Sequence, residues 1–309
     1  MHRTMDFKTL FALALQDSGV KPQDIISTLS KVDFTIIKSI SDLRNFLSRL
    51  TPSDSFPSEK SWNYAINIDE QNAKYGIKSF SIISKGYPNH LKAIDNPPAV
   101  LHVRGSVEVL QDIKGVAIVG SRKTSNAGLV IAQRIASQAV SQGWIVVSGL
   151  ALGIDAAAHS GALSVGSTGS TVAVLAHGLE KAKPVSNKAI GDAILENGGA
   201  WVSEHPVGAP AKPAQFVSRN RIQLGLSVGS IIVEAEEKSG SITQARFCVQ
   251  QNRPLFAVVP ETLENKLGLV CAGTQMLVSK MGANPIKSKN DYQFMFERFE
   301  RQQRMMRSL

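Results

Sequence analysis

The chain has 309 residues, of which 43% are hydrophobic and 19% are charged, a composition typical of a globular protein with a substantial core. It contains no run of about 18 apolar residues, which excludes a transmembrane helix at the level of the sequence. The N-terminal stretch MHRTMDFKTLFALALQD lacks the small-residue cleavage site of a signal peptide. The net charge of +9 slightly favours a polyanionic partner such as nucleic acid over a simple gain in solubility.

The two cysteines, Cys248 and Cys271, lack the CxxC spacing of redox and metal motifs. We interpret both as reduced packing residues in a cytoplasmic protein, where disulfides are rare. No cofactor, metal site or membrane partner is predicted.

The first 60 residues are predicted to form short helices followed by a linker. Apolar residues recur at helical spacing between residues 5 and 50, and Pro22 suits the first position of a helix. The segment 51–60, TPSDSFPSEK, has the Pro and Ser content of a linker. A helical module of this size usually needs a neighbour to pack on. Such modules sometimes bind DNA, but a packing or spacer role is favoured.

The lead-in to the main domain is marked by prolines. Pro97 and Pro98 force an extended backbone before the strand predicted at residues 100–105. Tyr87 and His90 are predicted to anchor this lead-in against the sheet, with a ligand-binding role as the alternative.

Residues 115–163 repeat the order strand, glycine turn and helix, which is typical of a doubly wound α/β domain with a mostly parallel sheet. The apolar run 116–119 ends in the Gly-Ser-Arg turn 120–122, and the run 144–147 ends in the Gly-rich turn 148–153. In such sheets, ligands bind at the carboxyl ends of the strands, where helix N-termini present free N–H groups. Both turns fall there, so the candidate site is expected at these two turns.

The remaining elements follow from the same patterns. Further strands are predicted at residues 77–83, 171–175, 200–203, 230–233 and 254–259, the last being the final clear strand. Further helices are predicted at residues 62–75, 187–196, 222–226 and 239–250 and in the charged tail 290–309. Four tail arginines lie at helical spacing and are interpreted as a solvated face with Glu297 and Glu300 as partners: Arg298, Arg301, Arg304 and Arg307.

Several segments, taken in chain order, resemble the DprA/Smf family of DNA-processing proteins. Besides the two glycine turns they are Tyr87-Pro88, Asn96-Pro97-Pro98, Phe216 with Arg219-Asn220-Arg221-Ile222, Gly225-Leu226-Ser227, Glu234-Ala235, Ser239-Gly240-Ser241 and Met281-Gly282-Ala283. The similarity spans roughly residues 80–285 and fades over residues 1–75.

The resemblance implies an extended Rossmann-like fold preceded by a small helical, SAM-like domain. It also implies single-stranded DNA binding, a head-to-head homodimer, and help in loading the recombinase RecA onto incoming strands during natural transformation. The expected division is an N-terminal helical domain and linker over residues 1–60, a Rossmann-like DNA-binding domain over 61–288, and a basic helical tail over 289–309. The tail leaves no room for the winged-helix domain that many members carry.

The chemistry of the two turns suits a phosphate. The first turn combines backbone N–H groups, a hydroxyl and a forked cation, and Lys123 adds a second cation. The glycines of the second turn have no Cβ that would keep a phosphate away, and Phe216 is expected to stack on a base. The predicted DNA-binding set is Gly120, Ser121, Arg122, Lys123, Ser148, Gly149, Gly153, Phe216, Arg219, Asn220 and Arg221.

Structural roles are the alternatives for several of these residues and their neighbours. Asp155 is predicted to cap the helix that follows it, and His159 to be a packing or hydrogen-bonding histidine. Arg221 is expected either to meet a phosphate or to pair with Glu234 inside the fold, which makes Arg219 the stronger phosphate contact. The asparagine between the two arginines is expected either to brace the loop or to touch DNA.

A nucleotide-binding or phosphoribohydrolase-like enzyme is the alternative function. The NAD fingerprint GxGxxG is absent, and residues 234–241 replace the Pro-Gly-Gly-x-Gly-Thr loop of the phosphoribohydrolases. Glu234, Asp155 and His159 could still build a small nucleotide site. A third interpretation, a partner protein that has lost its DNA pocket, is disfavoured because the turn arginine, the aromatic residue and the Arg-Asn-Arg segment are all present. We therefore predict a protein without catalytic residues.

Overall fold

The structure, a computed structural model, describes residues 5–37, 39–48, 56–112, 114–262 and 264–308. Residues 51–55 of the predicted linker lie outside the described residues. No helix in the described part of the chain is long and apolar enough to cross a membrane.

One mixed sheet organises the molecule. Its strands are β1 (Ile77–Ser81), β2 (Val100–Gly105), β3 (Gly115–Val119), β4 (Ile145–Ser148), β5 (Thr171–Val174), β6 (Ala200–Ser203), β7 (Ser230–Ile232), β8 (Leu255–Val258) and β9 (Asn284–Ile286). The spatial order is β1-β2-β6-β5-β4-β3-β7-β8-β9. β2 pairs antiparallel with both β1 and β6, and the other neighbours pair in parallel.

The helices lie before the sheet in sequence and on its two faces. They are α1 (Phe7–Asp17), α2 (Pro22–Lys31), α3 (Ile40–Leu47), α4 (Glu59–Tyr75), α5 (Asn89–Lys92), α6 (Asn126–Ser141), α7 (Ile154–Leu163), α8 (Lys188–Glu196), α9 (Pro213–Ser218), α10 (Asn220–Gly225), α11 (Gly240–Gln250), α12 (Ala272–Met281) and α13 (Asp291–Arg307). The predicted α/β class, a Rossmann-like mostly parallel sheet preceded by a helical part, is confirmed.

One strand was not anticipated. β9 pairs in parallel with β8, so the expectation that the strand at residues 254–259 is the last one is wrong. β9 has three residues with Pro285 at its centre, and it lies at the edge of the sheet. Proline cannot donate to the ladder and is tolerated at edges, so a short strand built around it leaves no period-2 pattern.

The strand order places a topological switch point at β3. From β3 the chain builds β4, β5 and β6 outward on one side and then returns to place β7 on the other side of β3. At such a point the loops leaving the two central strands diverge and open a crevice at their carboxyl ends, where ligands bind in open α/β sheets. The first glycine turn follows β3, so the crevice opens in the region where the sequence predicts the site.

The N-terminal helices pack on the antiparallel edge of the sheet. Phe11 of α1 stacks on Trp62 of α4 at 5.9 Å between ring centroids, and both belong to a buried cluster that also contains Leu101 of β2. The Asp6 carboxylate caps α1 by accepting from the Thr9 N–H. The helical part therefore shares a core with the sheet, as its small size requires.

The lead-in before β2 is fixed by Tyr87. Its ring is buried, and its hydroxyl donates to the Pro98 carbonyl at 2.8 Å. The predicted anchoring role of Tyr87 is confirmed. Burial lowers the pKa of His90 to about 4, so this histidine is neutral near pH 7.

The C-terminal half of helix α13 reaches the amino ends of β3 and β4. Phe299 is buried against Phe256, at 5.3 Å between ring centroids, and against Trp144, which precedes β4. The predicted solvated face is confirmed for Arg304, which lies 4.0 Å from Glu300, whereas Glu297 accepts a hydrogen bond from Gln293. One guanidinium nitrogen of Arg307 donates to both carboxylate oxygens of Asp112, at 2.7 and 2.8 Å, and holds the end of α13 next to β3.

Candidate nucleic-acid interface

An open cavity of about 580 Å³ lies at the carboxyl ends of β3 and β7. Its walls come from the loop after β3, the loop after β4, helices α9 and α10, and the N-terminus of α11. These elements meet only because the strand order switches at β3. The cavity therefore occupies the crevice that the topology opens.

The first glycine turn is held by its own serine. The Ser121 N–H donates to the Glu234 carbonyl at 2.8 Å, and the Ser121 hydroxyl both donates to the Lys123 carbonyl and accepts from the Lys123 N–H. Gly120 is needed here because a Cβ would lie 2.8 Å from the Glu234 carbonyl oxygen. With the serine hydroxyl engaged inside the turn, Arg122 and Lys123 are the exposed cations among the described residues lining the cavity.

Arg122 and Phe216 face each other across the rim of the cavity. The guanidinium carbon of Arg122 lies 5.0 Å from the centre of the Phe216 ring. Such a cation–π contact contributes about 0.5–1 kcal/mol at an exposed site. Phe216 stands on α9, a short helix that begins at Pro213, whose fixed φ suits a first helical position. A cation and an aromatic face are therefore presented side by side.

Arg219 has a different environment, because its side chain is buried. One guanidinium nitrogen donates to the Val174 carbonyl at the end of β5, and the other lies 3.7 Å from the Asp155 carboxylate. Burial lowers the pKa of Arg219, and the charge of Asp155 opposes this effect. Likewise burial raises the pKa of Asp155, although the charge of Arg219 acts to lower it. The pair thus joins α10 to α7 beneath the cavity.

Gly149 makes room for that guanidinium. A Cβ at this position would lie 1.9 Å from a guanidinium nitrogen of Arg219. The Gly149 N–H donates to the Asp155 carboxylate at 3.1 Å. The expected capping role of Asp155 is wrong, since Gly153 precedes α7 and Asp155 is its second residue. Its carboxylate is held in place by the buried arginine and the preceding turn instead.

Ser148 and Gly153 of the second turn also face the interior of the protein. The buried Ser148 hydroxyl donates to the Ile118 carbonyl at 2.7 Å. Gly153 has φ +77°, and a Cβ there would lie 2.4 Å from the Ser121 carbonyl oxygen. This close approach packs the two turns together. The second turn reaches the cavity through Ala151.

Arg221 pairs with Glu204, so the expected pairing with Glu234 is wrong. Two guanidinium nitrogens of Arg221 donate to the Glu204 carboxylate at 2.8 and 2.6 Å, and a third donates to the Asn96 carbonyl at 2.8 Å. Burial acts to raise the pKa of Glu204, but the hydrogen bonds and the charge of Arg221 outweigh this effect, so the pKa lies below its usual value. Arg221 therefore ties α10 to the end of β6 and to the lead-in.

Glu234 serves the start of α6. Its carboxylate accepts from the Ser125 N–H at 3.0 Å, the Ser125 hydroxyl at 2.7 Å and the Val270 N–H at 2.9 Å. Gly128 leaves space for it, because a Cβ there would lie 2.4 Å from this carboxylate. The carboxylate of Glu234 thus completes the N-terminal cap of α6.

Two structural expectations are confirmed. The Asn220 side-chain amide donates to the Gly240 carbonyl at 3.1 Å and so braces α10 against the start of α11. The buried His159 ring is hydrogen-bonded to the Thr171 hydroxyl at 2.7 Å. That hydroxyl donates to the Val146 carbonyl, so the histidine nitrogen is the donor to it. Burial lowers the pKa of His159 to about 3.

Sequence reasoning missed part of the cavity lining. Gln223, Glu236 and Ser241 also line it. Gln223 lies one helical turn after Arg219 on α10, a spacing that places both on one side of a helix and could have indicated it. Glu236 belongs to the loop after β7 and Ser241 to the first turn of α11, and both could be assigned to the cavity only once β7 was known to lie beside β3.

Most of this chain is similar in sequence to one known protein family. Residues 78–297 match the family model described as DNA recombination-mediator protein A. This chain belongs to that family, the DprA/Smf proteins. The family has a DNA-processing role in recombination, and its curated members bear the names DNA processing protein DprA and protein Smf.

Among its relatives, the DNA processing protein DprA of Bacillus subtilis is 36% identical over 216 residues, covering 70% of each chain. The DprA of Streptococcus pneumoniae is 35% identical over 219 residues, covering 71% of this chain and 74% of that one.

Two solved structures share the fold. The X-ray structure of DprA from Streptococcus pneumoniae aligns with a TM-score of 0.72 at 28% identity, covering 93% of this chain and 97% of that one. A DprA from Helicobacter pylori aligns with a TM-score of 0.62 at 26% identity, covering 73% of this chain and 98% of that one. The second structure is described as showing a single-stranded DNA binding mode of that protein.

The space above Gly149 in this DprA/Smf protein can be tested by filling it. Gly149→Ala is expected to lower the free energy of unfolding by about 1–3 kcal/mol, the usual cost of overpacking, because the new methyl group must displace Arg219. Urea unfolding followed by circular dichroism measures this change. Gly240→Ala is the control, because a Cβ there meets no atom within 4 Å. Wild-type stability of Gly149→Ala would contradict the placement of Arg219.

The burial of His159 predicts a pH dependence. Its pKa is about 3 in the folded protein against an ordinary value of 6.5, so its contribution to stability is complete above pH 6.5 and is lost as the pH falls towards 3. Between pH 7 and pH 5 this one group should remove about 2 kcal/mol of stability, because the unfolded chain gains the proton. His159→Asn should reduce the measured loss by that amount in urea titrations at the two pH values. An unchanged pH dependence would show that His159 does not titrate as its burial requires.

Proposed function

We propose that this chain is a non-catalytic protein that binds single-stranded DNA in the cavity at the switch point. The observation that supports the proposal best is the rim, where the exposed Arg122 guanidinium lies against the Phe216 ring and Lys123 adds a second exposed cation. Cations that follow a backbone and aromatic rings on which bases stack are the two components of sequence-tolerant strand binding. The single-stranded DNA binding mode described for the Helicobacter pylori relative supports the same ligand class.

Within the predicted set of DNA-binding residues, we assign direct and supporting roles from burial. Arg122 and Lys123 are proposed to contact phosphates, and Phe216 to stack on a base. Arg219 and Arg221 are held by carboxylates, so we propose Arg122 in preference to both of them as the phosphate contact. Their proposed role is to fix the second turn and helix α10, which carry the walls of the cavity.

The enzyme alternative is disfavoured by the three residues that would serve it. Glu234 has its carboxylate occupied by three donors in the cap of α6. Asp155 is paired with Arg219, and His159 is buried with its ring hydrogen-bonded to the Thr171 hydroxyl. A general acid or base must reach the proton it transfers. All three side chains are committed to holding the fold.

The biological role is proposed from the family. We propose that the protein acts in the cytoplasm as a homodimer, protects incoming single strands, and helps to load RecA onto them during natural transformation. The description of the family as a recombination mediator supports a handover of DNA to a recombinase.

Removing one rim cation tests the site. Arg122→Ala should weaken binding to oligo-dT about tenfold, because a charge-assisted contact to a phosphate is lost. It should also reduce the slope of log affinity against log salt by about 0.7, the value of one phosphate contact on a single strand. Fluorescence anisotropy at several salt concentrations measures both quantities.

The matched control is Arg298→Ala, which removes an exposed arginine of α13 that does not line the cavity. Its affinity and salt slope should equal those of the wild type. Equal binding by Arg122→Ala and the wild type at low salt would contradict the assigned rim.

The ligand class is tested by a gel shift with single and double strands of equal length. The single strand should be retained at lower protein concentration, because a duplex conceals the base faces that Phe216 requires. RecA in a second lane should join the complex on the single strand. Preference for the duplex would contradict the class, and a RecA lane identical to RecA alone would contradict the loading role.

A further inference from the structure

The second glycine turn contains a leucine in a strained backbone conformation. Leu150 has a φ of +56°, and the other non-glycine residues with positive φ in the described part of the chain are all asparagines. Leucine is disfavoured in this left-handed region because its Cβ lies too close to the following carbonyl oxygen, whereas asparagine is enriched there. Such a conformation persists only where the surrounding structure holds it. The turn therefore depends on contacts from outside it.

Asn187 supplies such a contact from the segment between β5 and α8. Its side chain is buried, and its amide nitrogen donates to the carbonyls of Leu150 at 2.9 Å and of Ala151 at 3.0 Å. Asn187 directly precedes α8, a position at which an asparagine side chain usually caps its own helix. Here it makes no such cap. The local rule is broken in favour of a contact with the turn, which is typical of residues that serve a functional site.

The shape of this turn determines the cavity at three of its residues. Ala151 lines the cavity, and Gly149 leaves space for the buried guanidinium beneath it. Gly153 packs against the first turn, where a Cβ would lie 2.8 Å from the Arg122 carbonyl oxygen. The N–H groups of Gly149 and Ala151 both hydrogen-bond the Asp155 carboxylate. A relaxed turn would therefore shift the cavity wall, the buried ion pair and the rim together.

We propose that Asn187 is a positioning residue for strand binding, because its amide holds the second turn in the strained conformation that shapes the cavity; the inference rests on the proposed single-strand function. Asn187 is not among the described residues that line the cavity, so it acts through Leu150 and Ala151. The Leu150 side chain is packed in a buried cluster with Trp201. The turn is thus held by its side chain on one side and by its carbonyls on the other.

The proposal is tested with Asn187→Leu, which keeps the approximate size of the side chain, adds no charge and removes both hydrogen bonds. This variant should weaken binding to oligo-dT about fivefold, within the range found for residues that act on a ligand site through intervening contacts. Fluorescence anisotropy measures the affinity, under conditions in which circular dichroism shows both proteins to be fully folded.

Hydrogen exchange reports on the turn itself. The N–H groups of Gly149 and Ala151 are hydrogen-bonded to Asp155 in the folded protein. In Asn187→Leu both should exchange with deuterium faster than in the wild type, because the turn is no longer held and opens more often. Exchange followed by mass spectrometry of a peptide covering residues 149–152 measures this change.

Asn72→Leu is the control for a purely structural role. Asn72 is also buried, and its amide donates to the Ser79 hydroxyl at 2.8 Å, next to the edge strand β1. Its loss should lower the urea midpoint of unfolding, because a buried hydrogen bond is removed. The folded control should bind oligo-dT with the affinity of the wild type and keep the exchange of the second turn unchanged.

The outcomes separate this inference from the proposed function. If the wild type does not bind oligo-dT, the single-strand function fails and the role of Asn187 in it fails too. If the wild type binds and Asn187→Leu binds equally well, or if its affinity falls while the exchange of the turn is unchanged, the role of Asn187 is overturned and strand binding stands. Asn187→Ala removes the same hydrogen bonds without added bulk and decides the question if the leucine variant does not fold.

Discussion

The buried ion pair of Arg219 and Asp155 is the interaction on which the site depends. It links helix α10 to two elements that are far from it in sequence, the end of β5 and the N-terminus of α7. Removing two charges from water is costly, and their attraction repays the cost only when the geometry is good and further hydrogen bonds are made. Here those bonds come from the Val174 carbonyl and the Gly149 N–H. The energy of the pair thus goes into positioning rather than into net stability.

The glycines of the two turns show how one motif can serve two purposes. Glycine beside a strand end suggests a backbone approached by a phosphate, and Gly149 fits that pattern in sequence. In the structure, what approaches Gly149 is the protein's own guanidinium. A cationic group and an anionic ligand require the same missing Cβ, so spacing alone does not distinguish them. Only the position of Arg219, set by long-range packing, shows which one is present.

Much of the fold was predictable, because buried parallel strands appear as short apolar runs and glycine turns mark their carboxyl ends. The location of the site followed from the same rule. Which of the two arginines is exposed was not predictable, because Arg122 and Arg219 have the same side chain and differ only in their burial in the folded protein. The partner of Arg221 was missed because Glu204 reaches it only through the pairing of β6 with β2 and β5. Gln223 was missed because an amide has no motif.

The C-terminal end of helix α13 lies at the amino ends of the central strands, opposite to the cavity at their carboxyl ends. Its apolar face packs beside Trp144, ahead of β4, and its last turn is fastened to Asp112, ahead of β3. The five residues of β3 separate this end from the cavity by about 16 Å. A dye, a surface tether or a fused domain joined to the end of α13 would therefore lie at the amino ends of the β-strands. A DNA strand could still enter the cavity at their carboxyl ends.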